Sequence, residues 1–333
     1  MNYNLKNRSL LALDEWSPRD MHLLLDMAHD LKRDRCAGRE QPQLRDKNIA
    51  LLCDPAVMRS RCDVEVAAIE QGAHVAVIDL GDSPFGERDL VKDTARMLGR
   101  LYDAIEYCGF EPAIVNELTQ HAGVPVWNGL TRPLHPTQIL ADYMTMQEHC
   151  PNKSLAQMRL AYLGDAGCHI GESLLQGAAL MGIDFRIGAP PSLWPPQALI
   201  EVSQQRAQAS GACLHFTASA HEAVQGVDFI CTDVWAAQGE PDAVWAERIA
   251  QLQPYRVNAA RLASSGNPAV KFLHCRPLSH DRDRRRGEAI LRRFGSDGLE
   301  VTDEVVESPA SVVRDQAENR LHTIKALLVA TLA

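Results

Sequence analysis

Residues 48–53, Asn48-Ile49-Ala50-Leu51-Leu52-Cys53, are a compact apolar run that reads as a buried strand. Asp54 to Arg61 is polar and reads as irregular. From Asp63 to Gln71 the apolar residues return at helical spacing and stop near Gly72, and Val75 to Ile78 reads as a second strand. Strand, loop, helix, strand is the order that builds a parallel sheet.

The same alternation extends in both directions. Ser17-Pro18 has the chemistry of a helix start, and Met21, Leu24, Leu25, Ala28 and Leu31 follow at helical spacing. Leu90 to Leu101, Glu117 to His121 and Leu140 to Cys150 read as helices. Ala104 to Tyr107 and Val124 to Asn128 read as strands, the latter leading into a loop at His135. A break falls at Pro151-Asn152-Lys153-Ser154, and the pattern restarts. Arg159 to Leu163, Asp184 to Gly188, Val227 to Thr232 and Val270 to His274 read as strands, Glu172 to Met181 and Ala317 to Leu332 as helices. The expected fold is α/β: two doubly wound parallel-sheet domains joined by helices. The expected domains are residues 1–150 and 151–316, with 317–333 a terminal helix.

A chain of 333 residues is long enough for two such domains, and 46% hydrophobic residues can fill their cores. The net charge of −9 argues against a general nucleic-acid binder, because phosphate contacts need clustered cations. No apolar segment is long enough to span a bilayer. The N-terminus lacks a signal-peptide pattern, and nine cysteines with no CxxC spacing suggest reduced thiols in a cytoplasm. Gly164, Gly167 and Gly171 punctuate the turn after one strand, but no convincing acidic residue closes the next strand, so a nicotinamide cofactor is not expected. Cys108, Cys168, His169, Cys275 and His135 have zinc-binding chemistry but match no short metal motif, so no metal or other cofactor is expected.

Chemistry is expected where strands end in an open α/β sheet. Phe272-Leu273-His274-Cys275-Arg276-Pro277 is such a strand end. His135-Pro136-Thr137-Gln138, Thr232-Asp233-Val234-Trp235 and Glu318-Asn319-Arg320 join it as candidate stretches.

With Arg59-Ser60-Arg61, Glu65-Val66-Ala67-Ala68, Lys92-Asp93-Thr94-Ala95-Arg96 and Trp127-Asn128-Gly129-Leu130-Thr131, these motifs run in order over nearly the whole chain. Together they resemble the ornithine carbamoyltransferase family of the aspartate/ornithine carbamoyltransferase superfamily. The resemblance implies one domain for carbamoyl phosphate, one for the amino acid, and a last helix packing back on the first domain. It also implies a homotrimer with active sites at subunit contacts. It assigns Arg59, His135, Cys275 and Arg320 to catalysis. The donor site adds Val57, Met58, Ser60, Arg61, Cys108, Gln138 and Arg276, and the ornithine site has His169, Asp233, Ala237 and Gln238.

Several of these positions depart from the family pattern. Ser-Thr-Arg-Thr-Arg, which places hydroxyls, N–H groups and guanidinium on a phosphate at a helix start, reads Val57-Met58-Arg59-Ser60-Arg61 here. The family's Arg in Tyr-Arg-Gly is Cys108, a thiol that cannot replace a planar cation. Pro84 stands where a Gln usually reaches the neighbouring subunit. On the acceptor side Asp233 can still pair with an α-ammonium. The usual Ser-Met is Ala237-Gln238, the usual Asn-Asn is Cys168-His169, and the usual Leu after the Cys is Arg276. His169, if protonated, suits a carboxylate; otherwise it packs in the turn.

Each lost charge-assisted bond costs about 1.5–3 kcal/mol, so two or three would slow carbamoyl transfer by orders of magnitude unless something compensates. The sequence therefore suggests attack by the δ-amine of ornithine, or a close analogue, on a changed phosphate-linked donor, such as a phosphoramidate or sulfamate-like one in a specialised antimetabolite pathway. The alternatives are ordinary citrulline synthesis with a weakened site, and a non-catalytic ornithine-binding paralogue.

Overall fold

The computed structural model describes residues 4–54, 58–80, 88–235, 241–275 and 299–333. It divides into two compact units: Met1–Met144 with Glu318–Ala333, and Thr145–Ala317.

The first unit carries β1 (Asn48–Cys53), β2 (His74–Asp79), β3 (Ala104–Cys108) and β4 (Val126–Leu130), all parallel in the order β2-β1-β3-β4. β1 is buried at every position after Asn48, as expected of a parallel strand covered on both faces. Helices α1 (Pro18–Cys36), α2 (Met58–Glu70), α3 (Arg88–Leu101) and α4 (Pro112–Ala122) precede α5 (Pro136–His149). Ser17 and Asp20 close a capping box on α1. Ala50, Leu52, Ile105 and Val126 of the sheet pack with Ala95, Leu98, Val115 and Leu118 of α3 and α4.

The second unit carries β5 (Arg159–Leu163), β6 (Asp184–Gly188), β7 (Cys213–Thr217), β8 (Phe229–Thr232) and β9 (Lys271–His274), parallel in the order β7-β6-β5-β8-β9. Its helices are α6 (His169–Met181), α7 (Gln197–Ser210), α8 (Ala220–Ala223), α9 (Asp242–Leu252), α10 (Ala259–Ala263) and α11 (Asp303–Val306), followed by α12 (Val313–Leu332). β5 and β8 are neighbours, with Leu163 beside Thr232. The turns that follow these two strands therefore emerge together, although far apart in sequence.

From Glu318 onward α12 belongs to the first unit. There its fully buried Lys325 holds Glu40 at 2.7 Å and also pairs with Glu70. Lys32 donates to Asn319 Oδ1 at 2.7 Å.

One reading is corrected: the segment through Arg61 is not all irregular, because α2 already begins at Met58. His135 ends the loop that follows β4, as the sequence suggests, and Pro136 opens α5 directly after it, where a missing N–H costs nothing. The sequence does not announce the pair α7 and β7. β7 is an edge strand with no fully buried residue, so its pattern is too polar to announce a strand.

Candidate active site

In the first unit the C-terminal ends of β3 and β4 meet the start of α5 and the middle of α12. Arg320 is the hub of that meeting. Its Nη1 donates to His135 Nε2 at 3.1 Å and to Gln138 Oε1 at 3.0 Å, and its Nε pairs with Asp63 at 2.9 Å. A guanidinium cannot accept, so His135 Nε2 is the accepting nitrogen and the ring proton resides on Nδ1. That Nδ1 lies 3.5 Å from Thr137 Oγ1, whose hydroxyl donates to Gly129 O at 3.3 Å. Gln138 Nε2 donates to Asp142 at 2.8 Å, which orients the amide. His135, Gln138 and Arg320 are all buried, and Arg320 Nη2 has no hydrogen-bond partner among the described residues. The arrangement is a rigid donor group suited to polarising a carbonyl and stabilising an oxyanion.

Beside it, β3 contributes two side chains on one face. Cys108 is fully buried, and burial first, then the neighbouring Glu106 and Cys53, push its thiol well above the ordinary range. It is a neutral thiol and no nucleophile. Glu106 is also buried, and neither carboxyl oxygen has a hydrogen-bond partner among the described residues. Burial pushes Glu106 up to about 8, against the pull of Arg320. A Cβ on Gly129 would collide with Glu106 Oε1 and Cys108 Sγ, so the glycine is what lets both side chains lie over β4. Sequence reading missed Glu106. The signal was there: one carboxylate inside an otherwise apolar strand, at a position that burial penalises heavily.

The second unit gathers a different set. Asp233 follows β8 and is 4% exposed. Burial raises its carboxyl, while His169 and then His274 lower it. His169, the first residue of α6, brings Nε2 to 3.6 Å from Asp233 Oδ2. The imidazole therefore does not pack away in the turn; it faces the acid. Among the described residues Asp233 Oδ2 has no hydrogen-bond partner. Cys168 caps α6, its Sγ accepting from Gly171 N at 3.5 Å and lying 3.1 Å from Tyr162 Oη. Burial pushes that thiol up to about 12. A Cβ on Gly171 would strike the Ala166 backbone, so the turn needs glycine there. Below, His274 and Glu300 are both fully buried, 3.3 Å apart, and His274 N donates to Gln316 Oε1 at 3.0 Å. Cys275, half-buried, follows directly.

The structure thus unites His135, Gln138, Arg320 and Cys108 in one unit, and His169, Asp233 and Cys275 in the other. Arg61 is engaged by Glu65, both bonds at 3.1 Å. Val57, Arg276, Ala237, Gln238 and Pro84 lie outside the described residues, and for Met58, Arg59 and Ser60 only the backbone, the first turn of α2, is described.

Known proteins were compared with this chain. The family model for the carbamoyl-P binding domain of aspartate/ornithine carbamoyltransferase matches residues 8–148, and the model for the Asp/Orn binding domain matches 156–331. The catabolic ornithine carbamoyltransferases of Burkholderia mallei and Burkholderia pseudomallei are each 53% identical over 334 residues, covering 100% of this chain and 99% of theirs. Among solved structures, ornithine carbamoyltransferase from Pyrococcus furiosus matches with a TM-score of 0.89 at 32% identity, covering 99% of this chain and 98% of its own. The Thermus thermophilus enzyme gives 0.81 at 33% identity, covering 98% of this chain and 99% of its own. Two family models that together span most of the chain, and relatives this similar over its full length, make it a member of the ornithine carbamoyltransferase family.

Proposed function

We propose that this protein moves a carbamoyl group between phosphate and the δ-amine of ornithine, with citrulline as the carbamoylated amino acid. The observation that carries the reading is Arg320, fixed by His135, Gln138 and Asp63 through Nη1 and Nε, with Nη2 left without a hydrogen-bond partner among the described residues. In the synthetic direction the neutral amine attacks the carbonyl carbon of carbamoyl phosphate. The carbonyl electrons shift onto oxygen, where Arg320 stabilises them. The carbon–oxygen bond to phosphate then breaks, phosphate departs with the electron pair, and the amine loses its proton. Holding amine and electrophile together supplies much of the rate, and no protein nucleophile is needed.

Residues 1–150 with the last helix would hold the donor, and 151–316 the amino acid, with Asp233 taking the α-ammonium and His169 the carboxylate. The relatives' printed name, catabolic ornithine carbamoyltransferase, supports use in the reverse direction, phosphorolysis of citrulline. It also supports ordinary carbamoyl phosphate over the changed donor that the sequence suggested. A homotrimer is supported by apolar side chains left in solvent: Val66 and Ile69 on one face of α2, Met97 and Leu101 on one face of α3. Among the described residues no helix is long and apolar enough to cross a membrane, and a cytoplasmic setting suits the free cysteines.

The test is a steady-state assay of the purified protein with carbamoyl phosphate and ornithine, and with citrulline and phosphate. Turnover in both directions is expected. Ornithine binding without any citrulline, alongside turnover of a phosphoramidate or sulfamate-like donor, would return the changed-donor reading. Ornithine binding with no turnover of any donor would mark a binding paralogue.

A further inference from the structure

The buried cluster of the first unit holds two unspent groups of opposite polarity. Among the described residues Arg320 Nη2 is a donor without an acceptor, and Glu106 offers two carboxyl oxygens without a donor. Both residues are at least nine-tenths buried, and they do not bond each other. A buried polar group without a partner is costly, so two such groups in one cluster need a reason. The rest of the cluster is well connected: Asp63, His135 and Gln138 hold Arg320, Thr137 bridges His135 to Gly129 O, and Gly129 makes the room that Glu106 Oε1 occupies. Glu106 stands in the middle of β3, close enough to Arg320 for the guanidinium to act on its carboxyl, with Cys108 beside it on the same face of the strand.

A primary amide has the complementary pair of groups: a carbonyl oxygen that accepts, and an adjacent NH2 that donates. We infer that Glu106 reads the amino group of the transferred carbamoyl, its carboxyl accepting an N–H while Arg320 Nη2 donates to the carbonyl oxygen. The inference rests on the proposed carbamoyl transfer and adds a specificity residue to it. It gives the chain a contact on the transferred group itself, at the strand where Cys108 replaces a cation.

Acetyl phosphate provides the control ligand, because it carries a methyl group where carbamoyl phosphate carries NH2. The experiment compares the Kd values of the two ligands, by calorimetric titration, for the wild type, Glu106→Met and Glu106→Gln. Methionine matches glutamate in length and leaves no unpaired charge, so this variant should fold. The wild type should prefer carbamoyl phosphate. Glu106→Met should lose about five- to tenfold of that preference, the value of one hydrogen bond, with acetyl phosphate binding unchanged within about twofold. Glu106→Gln keeps an accepting oxygen and should keep the preference. An unchanged preference in Glu106→Met, or its loss in both variants, overturns the assignment. If the wild type turns over carbamoyl phosphate and the preference ignores residue 106, only this inference fails. If the wild type binds neither ligand, the proposed function fails with it.

Discussion

Arg320 and Asp233 are buried charges, one in each unit, and they are provisioned differently. Arg320 is held by an acid, an imidazole and an amide before any substrate arrives. Asp233 keeps one oxygen without a hydrogen bond and faces a half-buried imidazole 3.6 Å away. The first arrangement is preorganised, so that little reorganisation is needed as charge develops in the transition state. The second is incomplete, and an ammonium would complete it. One unit carries a cation already tied down by its neighbours; the other carries an acid with an oxygen still free of hydrogen bonds among the described residues.

The contrast breaks most sharply at the hub. Arg320→Met should lower kcat/KM by about a thousandfold or more, as expected when an oxyanion donor is lost, with ornithine binding by titration little changed. Arg320→Lys should not rescue it, because an ammonium cannot hold three partners in one plane. Asp233→Asn should do the reverse. It should weaken ornithine binding about tenfold to a hundredfold, the value of a charge-assisted bond, and leave carbamoyl phosphate affinity intact. If both substitutions damage both ligands equally, the division of labour between the units is wrong.

His169 sharpens the comparison at lower stakes. His169→Ala should raise the KM for ornithine about three- to tenfold while leaving kcat little changed. An unchanged KM would reduce His169 to packing. The smallest effect on activity, and a distinct one on stability, belongs to the carboxyl of Glu106. It is pushed up to about 8 in the folded chain against an ordinary 4.5. The folded state therefore binds this proton more tightly, and its contribution is fully present below about pH 4.5 and lost as pH rises through about 8. Glu106→Gln should melt at a higher temperature than the wild type at pH 8, by roughly 2–4 kcal/mol of stability. The gap should close toward pH 4.5; a gap independent of pH would mean that folding leaves the proton affinity of this carboxyl unchanged.

Much of this molecule was legible in its sequence, for physical reasons. β1 and β5 match their reading end to end because, after the first residue, each is a buried and continuous apolar run. Edge strand β7 was lost because half-exposed residues carry no such signal. His135, Gln138 and Arg320 could be named from motifs, but their mutual bonds span 185 and 182 residues and no local pattern encodes them. Asp63 and Glu106 were passed over because one looked like an ordinary helix residue and the other like strand filler. The meeting of His169 with Asp233 follows from the pairing of β5 with β8, a fact of strand order that periodicity does not reveal.

Arg320 reaches its partners from the last helix, after the whole second unit has been written. On the ribosome, the sheet of the first unit can form long before the guanidinium that completes its cluster has been translated. The bonds that join His135, Gln138 and Asp63 through one guanidinium, and the pair of Lys325 with Glu40, therefore have to wait for the last helix to be made. A nascent chain stalled before α12 would lack all of them.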